Sequence, residues 1–259
     1  MQNKLFNKVK RFYLFSLMLV AVAILFSFAA PMQTASASGG DVHLDKWEGS
    51  VSDLDAVRNG AKTFNKYCLN CHGASFLRYK NLVDLGFTED QVKAEFVPEG
   101  RKIGDLMSIA ADPAEQKVWF GATPPDLTVI VRARGEAGAP SAGADWLYTY
   151  LRSFYRDANR PTGWNNVIFE NVGMPNPLWE LQGQFALNPE THKLEKIVEG
   201  TMTQAQYDKT ISDLVSFMVW MAEPQQDFRH QLGFFVLGFL IIFFGVAYAL
   251  KKNYWKDVH

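Results

Sequence analysis

Cysteine is scarce: the chain has 2 in 259 residues. That scarcity excludes a disulfide framework and a Cys-rich structural zinc site. Histidine is hardly commoner. Apart from His72, the others are His43, His192, His230 and His259, too scattered to form a metal cluster by spacing. Positive charge is short between the two ends of the chain. The chain has 26 basic and 27 acidic side chains. Four bases (Lys4, Lys8, Lys10, Arg11) lie at the extreme N-terminus, and Lys251, Lys252, Lys256 and Asp257 at the other end. What lies between holds 19 basic and 26 acidic groups, a balance of about −7. Such a balance argues against nucleic acid and suits a basic protein partner. Asp84, Glu89, Asp90, Glu95 and Glu99 form one acidic concentration, and Glu190, Glu195 and Glu199 another. Each reads equally as a solvated face or a docking surface.

Both cysteines lie in Cys68-Leu69-Asn70-Cys71-His72. C-x-x-C-H is the attachment pattern of a c-type haem, with two thioethers to the vinyl groups and the adjacent histidine as proximal iron ligand. A redox dithiol or half a zinc site are the alternatives. The dithiol does not need His72, and no thioredoxin-like βαβ pattern surrounds the motif; zinc would need further clustered ligands.

Two apolar runs bracket the chain. The first follows the basic N-terminus and ends in Ala35-Ser36-Ala37, so residues 1–37 read as an export signal, with retention as an anchor the alternative. The second, 232–250, has no charged residue. As a helix it extends ~28 Å, enough for a ~30 Å hydrocarbon core. Tyr248, Tyr254 and Trp255 suit an interfacial belt. Lys251, Lys252 and Lys256 place the tail, 251–259, in the cytoplasm and the domain, 38–231, in the periplasm of a bacterial inner membrane.

The pattern of the domain is mainly α with at most short strands. Asp53 is placed to cap a helix whose inner face is Val57, Ala61, Phe64 and Cys68. A second helix is expected over 146–155. A third is expected over 204–222, with Ile211, Leu214, Val215 and Met218 in one stripe and Glu223-Pro224 ending it. The chain restarts near Gln225 and enters the membrane. No candidate nucleophile or general base stands out, so the chain reads as an electron carrier and not as a complete enzyme.

Fast electron transfer calls for a sixth iron ligand, and methionine raises the potential. Met218 falls on the helical stripe, Met202 near a helix start, and Met107 in an unassigned stretch. Met174 lies in Asn171-Val172-Gly173-Met174-Pro175-Asn176-Pro177-Leu178, a loop stiffened by two prolines. Pattern alone leaves both ligation and packing open for Met174.

These residues together resemble the cytochrome c1 family, the haem-bearing subunit of cytochrome bc1 (quinol–cytochrome c reductase). Pro124-Pro125-Asp126-Leu127-Thr128-Val129-Ile130-Val131-Arg132-Ala133-Arg134 is similar to its P-P-D-L-S-x-I-x-x-A-R block, and Met174-Pro175-Asn176-Pro177-Leu178 to its M-P-x-P-L loop. FMVWMAEPQQDFR, 217–229, resembles its run before the anchor, and 248–255 its Y-x-x-K-x-x-x-W exit. The resemblance implies a mainly α, cytochrome c-like haem domain with insertions and one C-terminal transmembrane helix. It implies one covalent haem c on Cys68 and Cys71, iron ligation by His72 and Met174, and a propionate or haem-edge role for Arg132 and Arg134, with Arg134 preferred. It further implies that Gly60 and Phe64 meet Phe217 and Trp220. The implied partners are cytochrome b, a Rieske iron–sulfur protein as donor and a c-type cytochrome as acceptor, in a dimeric complex. A tethered shuttle serving an oxidase outside such a complex and a tethered thiol–disulfide oxidoreductase are the competing readings.

Overall fold

The computed structural model describes residues 43–109, 111–135 and 142–257. The expected export signal, 1–37, lies outside the described residues. Helix α1, Leu54–Tyr67, opens where Asp53 accepts hydrogen bonds from the amides of Asp55 and Ala56, both at 3.1 Å. That side chain supplies the partners that helix geometry leaves missing at the first turn. Ala56, Val57, Gly60, Ala61 and Phe64 form its buried face, as the periodicity predicts.

The chain then runs through β1, Ala74–Arg78, a 3₁₀ helix, Tyr79–Leu85, and α2, Glu89–Glu95. Next come β2, Leu106–Met107, α3, Pro113–Phe120, and α4, Ile130–Arg134. After α5, Ala142–Arg152, follow β3, Phe154–Arg156, β4, Trp164–Asn166, the single turn α6, Trp179–Gln182, β5, Gly183–Leu187, and β6, Leu194–Glu199. The strands pair as three separate antiparallel ribbons, β1 with β2, β3 with β4 and β5 with β6. The helix-rich domain with short strands matches the expected class.

Helix α5 departs from the expected 146–155. It starts earlier and stops at Arg152, because its last carbonyls are taken by side chains from elsewhere. Asn166 Nδ2 donates to Tyr150 O, the Tyr207 hydroxyl to Leu151 O and Gln182 Nε2 to Arg152 O, each at 2.8 Å. Phe154, Tyr155 and Arg156 then turn to strand pairing with Asn166, Asn165 and Trp164.

Helix α7, Gln204–Ala222, begins at a capping box between Thr203 and Gln206 and buries Ile211, Leu214, Val215, Phe217, Met218 and Met221. It crosses α1 where Gly60 has no side chain: a Cβ there would lie 2.0 Å from Asp213 O and 2.8 Å from Phe217 Cβ. The rings of Phe64 and Phe217 meet at 5.3 Å, and Phe217 stacks on Trp220 at 5.9 Å. The expected helix crossing is present, with the Asp213 backbone as its closest point.

Helix α8, Gln226–Tyr254, outlasts the apolar run at both ends. Its stretch Phe228–Tyr254 is long and apolar enough to cross a membrane and is not buried against the rest of the chain. Glu223, between α7 and α8, pairs with Arg132 of α4 and Arg229 of α8.

Candidate haem site

The Cys68–His72 segment prolongs α1 into a tight turn. Cys68 N–H still bonds Phe64 O, and the amides of Cys71 and His72 both reach Cys68 O, at 3.1 and 2.9 Å. From α3, the buried Gln116 donates through Nε2 to Cys71 O at 3.0 Å. His72 Nδ1 lies 2.8 Å from Pro125 O. A carbonyl only accepts, so Nδ1 carries the proton and Nε2 is left as the lone-pair nitrogen, the form that binds a metal. Burial holds the His72 pKa below its ordinary 6.5, against the opposing pull of the Pro125 carbonyl and the Asp126 carboxylate. The imidazole is therefore neutral at pH 7.

The same geometry weighs the alternatives. Burial, with the Cys71 thiol beside it, pushes the Cys68 thiol up to about 12. Redox dithiols need the opposite, a depressed thiolate pKa. Among the described residues no three His, Cys, Asp or Glu side chains are grouped to hold a metal ion. The donor set does suit a group that takes two thiols at its edge and one neutral imidazole at its centre.

Met174 is half-buried against the core, in a loop pinned at both ends. On one side Arg160 donates to Asn171 Oδ1 and O at 2.8 and 2.9 Å, and Asn171 N–H reaches Asn165 Oδ1 at 2.9 Å. On the other, the buried Asn176 takes the Leu178 amide at 2.9 Å and gives Nδ2 to Gln182 Oε1 at 3.0 Å. Side-chain bonds thus hold the loop at both ends, the preorganisation that a ligand loop requires. Met107, Met218 and Met221 are buried core residues, and Met202 accepts the Thr210 hydroxyl at 3.6 Å.

The two arginines separate. Arg132 is held by Glu223, whereas Arg134 lies over the rings of Trp146 and Phe169, 4.4 and 5.1 Å from their centroids. Residue patterns did not single out Gln116 or assign the P-P-D-L block its contacts with the haem turn. The Asp-x-Thr spacing of Asp126 and Thr128, typical of a side-chain-bonded turn, was the available signal.

A C-x-x-C-H turn with an oriented imidazole, a methionine loop pinned by side-chain bonds and one long apolar helix fit the class of membrane-anchored c-type cytochromes. Comparison with known proteins narrows this class. The Cytochrome C1 family model matches residues 46–258. Cytochrome c1 of Allochromatium vinosum is 39% identical over 86% of this chain and 93% of its own length. A Nitrosomonas europaea protein named ammonia monooxygenase gamma subunit is 47% identical over 87% of this chain and 93% of its own. Cytochrome b/c1 of Bradyrhizobium diazoefficiens is 29% identical over 93% of this chain and 40% of its own. The chain belongs to the cytochrome c1 family, and it is a haem electron-transfer subunit of a respiratory chain with covalently bound c-type haem.

Proposed function

We propose that this chain is the cytochrome c1 subunit of a bc1 complex, relaying single electrons from a Rieske iron–sulfur protein to a c-type cytochrome. Cys68 and Cys71 hold the haem by thioethers, His72 and Met174 ligate its iron, and Arg134 meets a propionate. Bound haem supplies a one-electron couple. The protein fixes the imidazole tautomer through Pro125 and presents the thioether ligand on a pinned loop. The 2.8 Å contact between His72 and Pro125 carries the reading, because it leaves a neutral, oriented imidazole beside two thiols. Cytochrome b is the membrane partner in a dimeric complex, the domain 38–231 faces the periplasm after loss of 1–37, and the tail 251–259 is cytoplasmic.

The relative named ammonia monooxygenase gamma subunit favours a second reading, a tethered carrier that serves a different redox partner. Purification of the full chain from detergent-solubilised membranes separates the two. Stoichiometric recovery of cytochrome b and the iron–sulfur protein with the haem-staining band supports the first; their absence from a haem-bearing preparation rejects it.

A further inference from the structure

We propose that Asp126 is a positioning residue for the haem: its carboxylate holds the Pro125 carbonyl on His72 Nδ1 and so sets how strongly the imidazole donates to iron. The inference rests on His72 as axial ligand. Pro124 and Pro125 have no amide hydrogen, so neither can tie this stretch of backbone down by donating. The anchors lie immediately after them. Asp126 Oδ2 accepts from Ser75 N at 2.7 Å, and Oδ1 from Thr128 N and Oγ1 at 2.9 and 2.5 Å. The buried Thr128 hydroxyl in turn accepts from Phe76 N at 3.3 Å, and Leu127 N donates to Gly73 O at 2.8 Å. Residues 125–128 are thereby laced to 72–76, directly beyond the haem turn. Gly73 makes room for this: a Cβ there would lie 2.9 Å from Asp126 Oδ2.

A partner on the second ring nitrogen raises the basicity of a ligating histidine. A firmer Nδ1–H···O bond therefore favours ferric iron and lowers the potential, and loosening it raises the potential. Loss of the Asp126 charge would also raise the potential, so the test keeps that charge in place.

Thr128→Val removes one hydroxyl, and Asp126→Glu moves the carboxylate; both retain its charge. In the purified full-length holoprotein, each is expected to shift the ferric-to-ferrous ratio about tenfold, ~59 mV upward for a one-electron couple. Haem content by pyridine haemochrome should stay at the wild-type level. Unmoved potentials in these two variants, beside a raised one in Asp126→Asn, would assign the effect to charge alone and overturn the proposal. Loss of covalent haem from Thr128→Val would overturn it too, by making the lacing a requirement for attachment. The ligand reading is judged separately on wild type, whose ferric form must show low-spin histidine–methionine signatures in EPR and the near infrared. Without the histidine signature, His72 as ligand fails and takes this inference with it. With it, unmoved potentials reject Asp126 alone.

Discussion

Gly60 and Asp213 meet backbone to backbone. A Cβ on Gly60 would fall 2.0 Å from the Asp213 carbonyl oxygen, inside any permitted contact. This contact sets the distance between α1, which leads into the haem turn, and α7, which leads towards the membrane helix. Gly60→Ala is expected to push the helices apart and cost about 1–3 kcal/mol, the range for overpacking a filled core. For a domain of this size that lowers Tm by about 2–4 °C per kcal/mol. Gly104→Ala, with nothing within 4 Å of the new carbon, is the control and should melt within ~0.5 kcal/mol of wild type. Equal melting of the two variants would reject the close-approach account.

Met174→Leu should lower the potential by more than the ~59 mV that marks a tenfold change and should alter the visible spectrum. Met107→Leu and Met218→Leu, both core substitutions of similar volume, should leave potential and spectrum in place. Redox titration of the three proteins, each with haem content checked, decides the assignment.

Arg134 and Arg132 are expected to behave differently. Arg134→Gln should shift the potential: among the described residues no carboxylate pairs with its guanidinium, which lies on Trp146 and Phe169. Arg132→Gln should leave the potential alone and loosen the junction it shares with Glu223. Identical titrations for both variants would sink the distinction.

Glu223 carries the acid sensitivity of that junction. The Arg229 hydrogen bond, with the charges of Arg132 and Arg229, holds its carboxyl below the ordinary 4.5. A depressed carboxyl contributes stability that is complete above its unfolded value and lost as pH falls through the folded one. Proteolytic nicking around 223–229 should therefore be slow at neutral pH and rise as pH drops below about 4.5. Glu223→Gln should nick faster at neutral pH and show no acid step. Global stability should change by only about 0–1 kcal/mol, because both arginines are more than half exposed. An acid step that survives in Glu223→Gln would reject the assignment.

The legible part of this fold was the local part. Asp53 announced its helix, because a cap bonds amides only two or three residues away. Glu223-Pro224 marked the end of α7 through proline's effect on the preceding residue. The end of α5 was not legible. Its stop comes from Asn166, Gln182 and Tyr207, which reach its carbonyls from 16, 30 and 56 residues away. The candidate site divides the same way. Cys68, Cys71 and His72 are neighbours in the chain, so their spacing alone carried the haem attachment signal. Gln116 and Pro125 act on that turn from 45 and 53 residues downstream, the latter through a backbone carbonyl that no side-chain pattern encodes.

By itself, then, the sequence carried the C-x-x-C-H attachment pattern and the uncharged run 232–250 within α8, because an attachment motif and a bilayer-length apolar run both depend on adjacent residues. Only the tertiary structure decided which nitrogen of His72 faces the Pro125 carbonyl, that Arg132 meets Glu223 while Arg134 lies on Trp146 and Phe169, and how near α1 can come to α7. Each of these is a contact between segments far apart in the chain. Its geometry is set by packing that the order of residues does not display.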